Sequence, residues 1–283
     1  MPKKRLDLLL AERGLVESRS LAQRLVMAGK VRVEGELILK PSQMVASESN
    51  LSIDEGDQYV SRGGEKLAAA LHAFGLNPAG LVCADVGAST GGFTDCLLQN
   101  GATRVYTIDV GKGILHWKLR QDPRVIVMED ANARYVKRLP EPVDLVTIDV
   151  SFISLKVLLP VTQGWFLPEN DDTFLRLAGK NHKKIIALIK PQFEAGRKQV
   201  SRGEGVIRDP AIHRNVLMDV LSFTRTLGFE VCGLVRSPLL GPKGNVEFLV
   251  LLALSSQKQK LTQQEELEEL VSVVLSSPEN QIK

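Results

Sequence analysis

The chain has 283 residues, of which 44% are apolar and 24% charged, a composition typical of a soluble globular protein with one or two domains. Its longest apolar runs, such as residues 248–254, are far shorter than the roughly 20 residues that a membrane helix needs. The N-terminus carries charges with no apolar stretch after them, so we expect no secretory signal and a cytoplasmic protein. Cys83, Cys96 and Cys232 are widely spaced and predict buried thiols, with neither disulfides nor a metal site.

The net charge of +3 is unevenly distributed. Residues 1–40 contain nine Lys and Arg against five Asp and Glu, an excess of four that is larger than the excess of the whole chain. On charge alone, a solvated basic face is the simpler explanation. A polyanion-binding module attached to a near-neutral body is the alternative.

Residues 1–58 predict a small α+β domain. The first helix ends at Gly14, and the second is capped by Ser18 and ends at Gly29. Apolar residues then alternate with polar ones over 31–39, which predicts short strands with a turn between them.

The larger part of the chain, up to residue 255, alternates apolar runs with helical connections. Predicted strands cover 81–86, 105–110, 125–128, 143–150, 185–189, 229–235 and 247–254. Their continuous hydrophobicity indicates strands that are buried on both faces. The pattern predicts a doubly wound α/β sheet of Rossmann-like architecture.

The last residues, 256–283, predict a C-terminal helical tail. Thr262 and Glu265 form a capping box, and the helix that follows ends at Pro278. Its apolar stripe consists of Leu267, Leu270, Val271 and Val274. We expect this helix to pack on the body and assign it no chemistry.

A glycine-rich turn follows the first strand of the predicted sheet and reads Asp85-Val86-Gly87-Ala88-Ser89-Thr90-Gly91-Gly92-Phe93-Thr94. The spacing is neither the Gly-x-Gly-x-x-Gly of dinucleotide binders nor a P-loop. An acid before the turn would repel a pyrophosphate, whereas it suits a ligand with a cationic amino-acid end, such as S-adenosylmethionine. The expected cofactor contacts here are Asp85, Gly87, Ala88, Ser89, Gly91, Gly92 and Phe93.

Acids also end the next two strands of the predicted sheet. Asp109 is placed to hold ribose hydroxyls, and Asp130 is placed to meet an adenine amino group. Any one of these acids alone is weak evidence, because surface strand tips are commonly charged. Three of them at successive strand ends on one edge favour cofactor binding.

Two lysines and two acids are expected at the same edge. Asp149 and Lys190 end the fourth and fifth strands, and a lysine that closes so apolar a run is partly desolvated, which favours its neutral amine. Glu247 begins the last strand, and if that strand is antiparallel its start lies beside them. Lys66 opens the helix before the first strand and lies within reach of the same edge. Ordinary surface ion pairs are the alternative for each residue, but the set together favours a site, and Asp149 would also lie near the cofactor.

The chain resembles the TlyA family of ribosomal RNA methyltransferases, also labelled hemolysin A, whose catalytic domain is similar to that of the FtsJ group of 2'-O-methyltransferases. The motifs that carry the resemblance are residues 59–64 with Lys66, 85–94, 148–154, 188–194 and 244–248. Residues 5–7, 18–20, 29–33 and 40–42 resemble the S4 RNA-binding domain. Tyr59 and Asp57 depart from the family, whose members often have a tryptophan and a basic residue there.

The resemblance implies a class I S-adenosylmethionine-dependent methyltransferase that modifies the ribose 2'-hydroxyl of cytidine in 16S rRNA, 23S rRNA or both. It implies an S4-like domain over 1–58, a linker over 59–65 and a catalytic domain over 66–255. The Lys-Asp-Lys-Glu set of the FtsJ group corresponds to Lys66, Asp149, Lys190 and Glu247.

Phosphate contacts are expected from Arg5, Arg19, Arg24, Lys30, Lys40 and Arg62. Residues 196–205 are basic and glycine-rich, and they predict either a flap over RNA or a surface loop. No aromatic residue precedes Tyr59, which favours recognition of folded RNA by shape.

Three other functions remain open at this point. The hemolysin label suggests a pore-forming toxin, which the lack of membrane-length apolar segments disfavours. A non-enzymatic RNA-binding or ribosome-assembly factor is disfavoured by the intact acidic strand tips. Methylation of a base is a closer rival, but the Asn/Asp-Pro-Pro-Tyr/Phe motif of many amino-directed enzymes is missing.

Overall fold

The structure is a computed structural model that describes residues 2–54, 57–166, 183–195, 205–254 and 263–276. The chain divides into two compact units, Met1–Gln58 and Tyr59–Lys283. Within the described ranges, no helix combines the length and the hydrophobicity needed to cross a bilayer.

The N-terminal unit is built from two helices and five short strands. They are β1 (Lys3–Arg5), α1 (Leu6–Glu12), α2 (Arg19–Met27), β2 (Val31–Val33), β3 (Glu36–Leu37), β4 (Met44–Ala46) and β5 (Leu51–Ile53). β1 pairs with β4, and β3, β2 and β5 form a three-stranded sheet in that order. The Ser18 cap is confirmed, since its Oγ accepts a hydrogen bond from the Leu21 N–H at 3.2 Å. The predicted turn between β2 and β3 is confirmed as well, and both of its residues have positive φ, 51° at Glu34 and 84° at Gly35.

The C-terminal unit alternates helices with strands. It contains α3 (Gly63–Ala73), β6 (Val82–Val86), α4 (Gly92–Gln99), β7 (Arg104–Ile108), α5 (Trp117–Arg120), β8 (Val125–Met128), β9 (Leu145–Ile148), α6 (Leu155–Thr162), β10 (Lys184–Ile189), α7 (Pro191–Glu194), α8 (Pro210–Thr226), β11 (Phe229–Arg236), β12 (Phe248–Leu254) and α9 (Gln264–Ser276). Every strand of the predicted sheet is present, with ends that shift by a few residues. Short 3₁₀ turns occur at Ala133–Tyr135, Gln163–Trp165 and Pro242–Gly244.

One seven-stranded sheet orders this unit as β11-β12-β10-β9-β6-β7-β8. Its strands are parallel except that β12 runs antiparallel to both neighbours, which confirms the α/β fold and the reversed last strand. In the β10–β12 register, Ile189 faces Phe248. Lys190 and Glu247, the next residue in each direction, therefore emerge at the same edge of the sheet.

The cysteine prediction is partly wrong. Cys83 and Cys96 are buried, but Cys232 is exposed. Cys232 lies in β11, an edge strand whose pairing with β12 shifts register between Val231 and Gly233. Phe229 and Val231 are buried on one face of this strand, so regular alternation places the Cys232 thiol on the opposite, exposed face.

The C-terminal helix, α9, packs through the stripe that the sequence predicts, with Leu267, Val271 and Val274 buried. Its cap differs from the expected pair: the Gln263 N–H donates to the Glu266 carboxylate at 2.7 Å. Thr262 and Pro278 lie outside the described residues.

Candidate active site

The glycine turn between β6 and α4 is shaped by two close approaches of the backbone. Gly87 has a φ of +79°, and a Cβ there would lie 2.3 Å from the Asp149 carbonyl oxygen. A Cβ on Gly92 would lie 2.3 Å from the Ser61 Oγ, because the start of α3 crosses the start of α4 at this point. Glycine is therefore required at both positions to bring the turn, the end of β9 and the start of α3 together.

A first cavity of about 400 Å³ opens beside this turn. It is walled by the ends of β6, β7 and β9 and by the loops that follow β7, β8 and β9. Asp109 lines it and accepts hydrogen bonds from the Ser89 N–H at 2.8 Å and from the Gly111 N–H at 2.7 Å. One carboxylate thus fixes the glycine turn and presents its remaining acceptor capacity to the cavity.

Asp85 lies deeper than the sequence suggests. Its side chain is fully buried and accepts hydrogen bonds from the Thr94 hydroxyl at 2.6 Å and the Thr147 hydroxyl at 2.9 Å. Burial raises the pKa of the Asp85 carboxyl to about 6, against the lowering effect of the two hydroxyls. The carboxyl joins β6 to α4 and β9 beneath the turn, and it is not among the residues that line the cavity.

Asp130 also lies apart from the cavity lining. It has a φ of +52°, and its exposed carboxylate faces Lys112 at 3.5 Å. The chain then turns inward, so that Asn132 and Arg134 line the cavity in the place where the sequence led us to expect Asp130. The Asn132 side chain also accepts a hydrogen bond from the Arg134 N–H at 3.1 Å.

The two lysines and two acids form two ion pairs. The Lys190 Nζ lies 2.6 Å from the Asp149 Oδ1, and the Lys66 Nζ lies 2.5 Å from the Glu247 Oε2. Lys66 and Lys190 expose only 11% and 10% of their side chains, and Glu247 exposes none. Charges this strongly desolvated are uncommon outside functional sites unless they are fully paired and hydrogen-bonded.

These pairs adjoin a second cavity of about 410 Å³. Lys66, Asp149 and Lys190 line it together with the glycine turn, Arg62 and Leu240. Gly87, Ser89, Asp149 and Ser151 line both cavities. A ligand in the first cavity would therefore meet a ligand in the second beside the Asp149–Lys190 pair.

Further contacts hold the Lys190 amine in place. It donates a hydrogen bond to the Ser151 Oγ at 3.3 Å and lies 5.9 Å from the centre of the Phe193 ring. The Phe193 ring packs against Phe152 with centroids 4.9 Å apart. Phe152 has a φ of +66°, is 90% exposed and lines the first cavity.

The loop after β9 is tied to the end of β10 by Glu194. Its carboxylate accepts hydrogen bonds from the Ser154 hydroxyl at 2.6 Å and from the Leu155 N–H at 2.8 Å, which caps α6. Burial raises the pKa of Glu194. This clamp keeps the segment that contains Asp149 and Ser151 against the segment that contains Lys190.

Comparison with known proteins assigns the C-terminal unit to a family. Residues 59–254 match the FtsJ-like methyltransferase family, and residues 4–50 match the S4 domain. The chain belongs to the FtsJ-like methyltransferase family. The first match spans the whole sheet and both ion pairs.

The methyltransferase has close relatives of the TlyA type. It is 43% identical over 252 residues to the 16S/23S rRNA (cytidine-2'-O)-methyltransferase TlyA of Mycobacterium tuberculosis, covering 88% of this chain and 89% of that protein. It is 40% identical over 248 residues to Hemolysin A of Brachyspira hyodysenteriae, covering 87% and 98%. A solved structure of a Streptococcus thermophilus protein that carries a hemolysin name has a TM-score of 0.68 and 41% identity, and the match covers 97% of this chain and 96% of that one.

The basic residues of the N-terminal unit divide into two groups. Arg5 donates two hydrogen bonds to Asp7, and Arg19 donates one, so both guanidinium groups are partly engaged. Arg24 and Lys40 are exposed and Lys30 is half-buried. In the C-terminal unit, Arg62 is exposed and lines the second cavity of the methyltransferase. The predicted flap, except Gly205, lies outside the described residues.

Sequence reasoning missed three residues of the methyltransferase site: Ser151, Phe152 and Asn132. Ser151 and Phe152 stand inside a motif that the sequence does single out, directly after Asp149. An aromatic residue next to a polar strand end was an available signal for Phe152. Nothing in the sequence marks Asn132, which replaces Asp130 only because the backbone reverses between them.

Proposed function

We propose that this chain transfers a methyl group from S-adenosylmethionine to the ribose 2'-hydroxyl of a cytidine in ribosomal RNA. The observation that carries the proposal is the pair of buried ion pairs, Lys190–Asp149 and Lys66–Glu247, at a cavity that adjoins the glycine-turn cavity. The nucleotide and the RNA are taken from the TlyA relative of Mycobacterium tuberculosis, which acts on cytidine in 16S and 23S rRNA.

The residues of the first cavity fit S-adenosylmethionine. Its volume of about 400 Å³ is within the range of small-ligand sites. Asp109 would accept hydrogen bonds from the ribose hydroxyls, and Asn132 offers both a donor and an acceptor to an adenine edge. Gly87 and Ser89 would lie along the amino-acid end, and Asp85 would act from beneath by holding the turn in shape.

S-adenosylmethionine, when bound, supplies a methyl group on a cationic sulfur, which is already a strong electrophile. The protein therefore has to align the hydroxyl and remove its proton. Lys190 accepts that proton at its Nζ as the new oxygen–carbon bond forms. Such general-base assistance is typically worth about 10²- to 10⁴-fold in rate.

The other charged residues position Lys190. The Asp149 carboxylate attracts the amine as an ion-pair partner, and the Ser151 hydroxyl accepts one of its hydrogen bonds, so that the remaining position of the amine can face the second cavity. Lys66 carries a second positive charge to the same cavity, and Glu247 fixes it from below. A Cβ on Gly241 would lie 2.0 Å from the Glu247 Oε1, so this glycine is needed for the carboxylate to lie where it does.

The target nucleotide needs a binding surface as well as a proton acceptor. Phe152 presents an almost fully exposed ring at the first cavity. Stacking of the target base on this ring would place its ribose towards Lys190, since Phe152 packs on Phe193 and the Lys190 amine lies over the Phe193 ring. In the N-terminal unit, Arg24, Lys30 and Lys40 would contact phosphates, and Arg5 and Arg19 would do so through the N–H groups that Asp7 does not use.

Transfer of labelled methyl groups tests the proposal. Ribosomal subunits from cells that lack this modification would be incubated with the protein and radiolabelled S-adenosylmethionine, and the label in 16S and 23S rRNA counted. We expect label in at least one rRNA. The matched control is Lys156→Gln, which removes a half-buried cation on α6 that pairs with Asp219 and lines neither cavity, and it should transfer at the wild-type rate. Binding to rRNA without any transfer would indicate an assembly factor and overturn the proposal.

A further inference from the structure

A second basic stretch lies in the C-terminal unit. Residues 110–138 contain seven Lys and Arg against three Asp and Glu, an excess of four that equals the excess in residues 1–40. The excess is spread over two loops, which follow β7 and β8, and the edge strand β8 lies between them in the sequence. Both loops line the first cavity, through Val110 on one side and Arg134 on the other.

Each loop exposes a large aromatic side chain. Trp117 is 66% exposed and Tyr135 is 77% exposed. The other tryptophan of the chain, Trp165, is buried, as is usual for an indole. An exposed ring of this size in a basic neighbourhood is more informative than a single exposed aliphatic residue.

Packing on the inner side of α5 holds Trp117 outward. Leu115 and Leu119 are buried, and a Cβ on Gly91 would lie 2.9 Å and 2.2 Å from their side chains. The His116 N–H donates to the Thr90 carbonyl at 3.1 Å, which ties the segment to the glycine turn. The indole stays largely exposed, and its ring lies at a tilt of 32° to the His116 ring, with the two centroids 5.8 Å apart.

The carboxylates of this stretch are already paired. Glu129 pairs with Arg120, Asp130 with Lys112 and Asp122 with Arg124. Four exposed cations remain: Lys118, Arg134, Lys137 and Arg138. Among the described parts of the chain, no carboxylate lies within ion-pair distance of these four.

We propose that these two loops form a second RNA-contact surface, on which unpaired bases flanking the target nucleotide stack on Trp117 and Tyr135. Lys118, Arg134, Lys137 and Arg138 contact the phosphates between those bases. Exposed rings and unpaired cations on two loops at the same edge of the sheet match the chemistry of single-stranded RNA, because every base has a face to stack and every nucleotide carries a negative charge. The inference rests on the proposed function, since it assumes an RNA substrate.

The surface also supplies what the N-terminal unit lacks. No aromatic residue precedes Tyr59, so the N-terminal unit cannot stack bases on rings. Any stacking contact by this chain therefore has to come from the C-terminal unit. RNA recognition is thus divided between the units, since cations of the N-terminal unit bind the RNA backbone while the two loops contact the unpaired bases beside the site.

Tryptophan fluorescence tests the contact directly. The chain has two tryptophans, and only Trp117 is exposed to a base that could quench it. Titration with 16S or 23S rRNA transcribed without modifications should quench part of the emission of the wild type. The matched control, Trp117→Phe, should bind the same RNA with no quenching, because Trp165 is buried.

Activity measurements test what the contact contributes. Trp117→Ala should raise the KM for rRNA about tenfold, the effect expected for loss of one stacked base. Its kcat and its affinity for S-adenosylmethionine should stay at the wild-type values, and Trp117→Phe should restore most of the KM. A Lys137→Gln/Arg138→Gln variant should lower the slope of log affinity against log salt by about 1.4, roughly 0.7 for each lost contact to single-stranded RNA. Arg214→Gln, on α8, should leave this slope unchanged.

The outcomes separate this inference from the proposed function. Methyl transfer by the wild type, together with unchanged emission on rRNA binding and an unchanged KM for Trp117→Ala, would overturn the second contact surface alone. Quenching by ribosomal subunits but not by bare rRNA would assign the surface to a ribosomal protein and would also overturn it. Absence of methyl transfer by the wild type would reject the proposed function instead.

Discussion

Both units bury a carboxylate that is paired with at least one cation, but the two carboxylates differ in how many of their oxygen atoms accept hydrogen bonds. In the N-terminal unit, Asp7 is fully buried and accepts hydrogen bonds from Arg5, Arg19 and Gln23. The hydrogen bonds from Arg5 make the largest contribution to holding the pKa of the Asp7 carboxyl well below its usual range. In the C-terminal unit, Glu247 is buried just as fully, yet its Oε1 has no hydrogen-bond partner among the described residues.

The difference separates a structural cluster from a chemical one. The planar guanidinium groups around Asp7 use both carboxylate oxygens, which leaves the Asp7 carboxylate itself little to offer a ligand. Lys66 and Lys190 are point charges with further donors to spare, and both line a cavity. The Asp149 Oδ1 facing Lys190 likewise has no partner with hydrogen-bond geometry in the described parts of the chain. Incomplete saturation beside an open space is what the site has and the Asp7 cluster lacks.

Loss of the Lys190 amine should have the largest effect on kcat. Lys190→Ala should lower kcat by about 10²- to 10⁴-fold, because the proton acceptor is removed. The affinity for S-adenosylmethionine, measured by calorimetry, should change little. Lys190→Arg keeps the charge but cannot accept a proton, so it should be nearly as inactive. Substantial activity in Lys190→Arg would contradict a base role and leave Lys190 a purely electrostatic one.

Asp85 is a third buried carboxyl, and it accepts hydrogen bonds from the hydroxyls of Thr94 and Thr147. Its folded pKa of about 6 is above its unfolded value, so its charged form opposes folding. The free energy of unfolding should therefore fall as pH rises from about 4 to 6, by roughly 3 kcal/mol at most. Asp85→Asn should flatten that pH dependence. Denaturant unfolding followed by tryptophan emission reports on the C-terminal unit alone, because residues 1–58 contain no tryptophan. A profile of the same slope in wild type and variant would reject the assignment.

Asp7 should show the opposite pH dependence. Its folded pKa is lowered, so its contribution is present above the unfolded value near 4 and is lost as pH falls below it. Asp7→Asn should destabilise the N-terminal unit by roughly 2 kcal/mol at neutral pH, since three donors lose a charged acceptor. Amide hydrogen exchange at buried residues of α1 would measure this loss. Impaired kcat at saturating RNA would contradict a purely structural role for Asp7.

Ser151 gives the smallest and sharpest test of the site. It is the hydrogen-bond partner of the Lys190 amine, so Ser151→Ala should lower kcat by several-fold, about the effect of one neutral hydrogen bond. The KM for RNA should be unchanged, and the pH at which kcat is half-maximal should move. Ser151→Thr keeps the hydroxyl and should recover most of the rate. An unchanged pH profile of kcat in Ser151→Ala would show that Ser151 does not position the Lys190 amine.

The sequence predicts that Lys66, Asp149, Lys190 and Glu247 lie at one edge of the sheet, and they do so because topology determines most of their placement. Once the last strand runs antiparallel, Glu247 has to lie at the edge where Lys190 and Asp149 emerge. The pairing of Lys66 with Glu247 and of Lys190 with Asp149 follows from that edge and from the start of α3. These relations depend on strand order and direction, which continuous apolar runs encode well.

What escaped prediction depends on single backbone angles. A left-handed residue at Asp130 moves its carboxylate out of the cavity lining and brings Asn132 in. Cys232 is exposed because it lies on the outer face of the edge strand β11. The burial of Asp85 was not predicted, because the sequence around an acid at the end of a strand does not show whether its partners are ligand atoms or the hydroxyls of Thr94 and Thr147. Trp117 escaped because a four-residue helix has too little periodicity to show which side faces outward.

The most direct test of the central claim is the position of the transferred methyl group. RNA methylated in vitro with labelled S-adenosylmethionine would be digested to nucleosides and separated by chromatography with mass detection. We expect label in 2'-O-methylcytidine with the wild type and none with Lys190→Ala. Label on a base, or equal labelling by the two proteins, would contradict it.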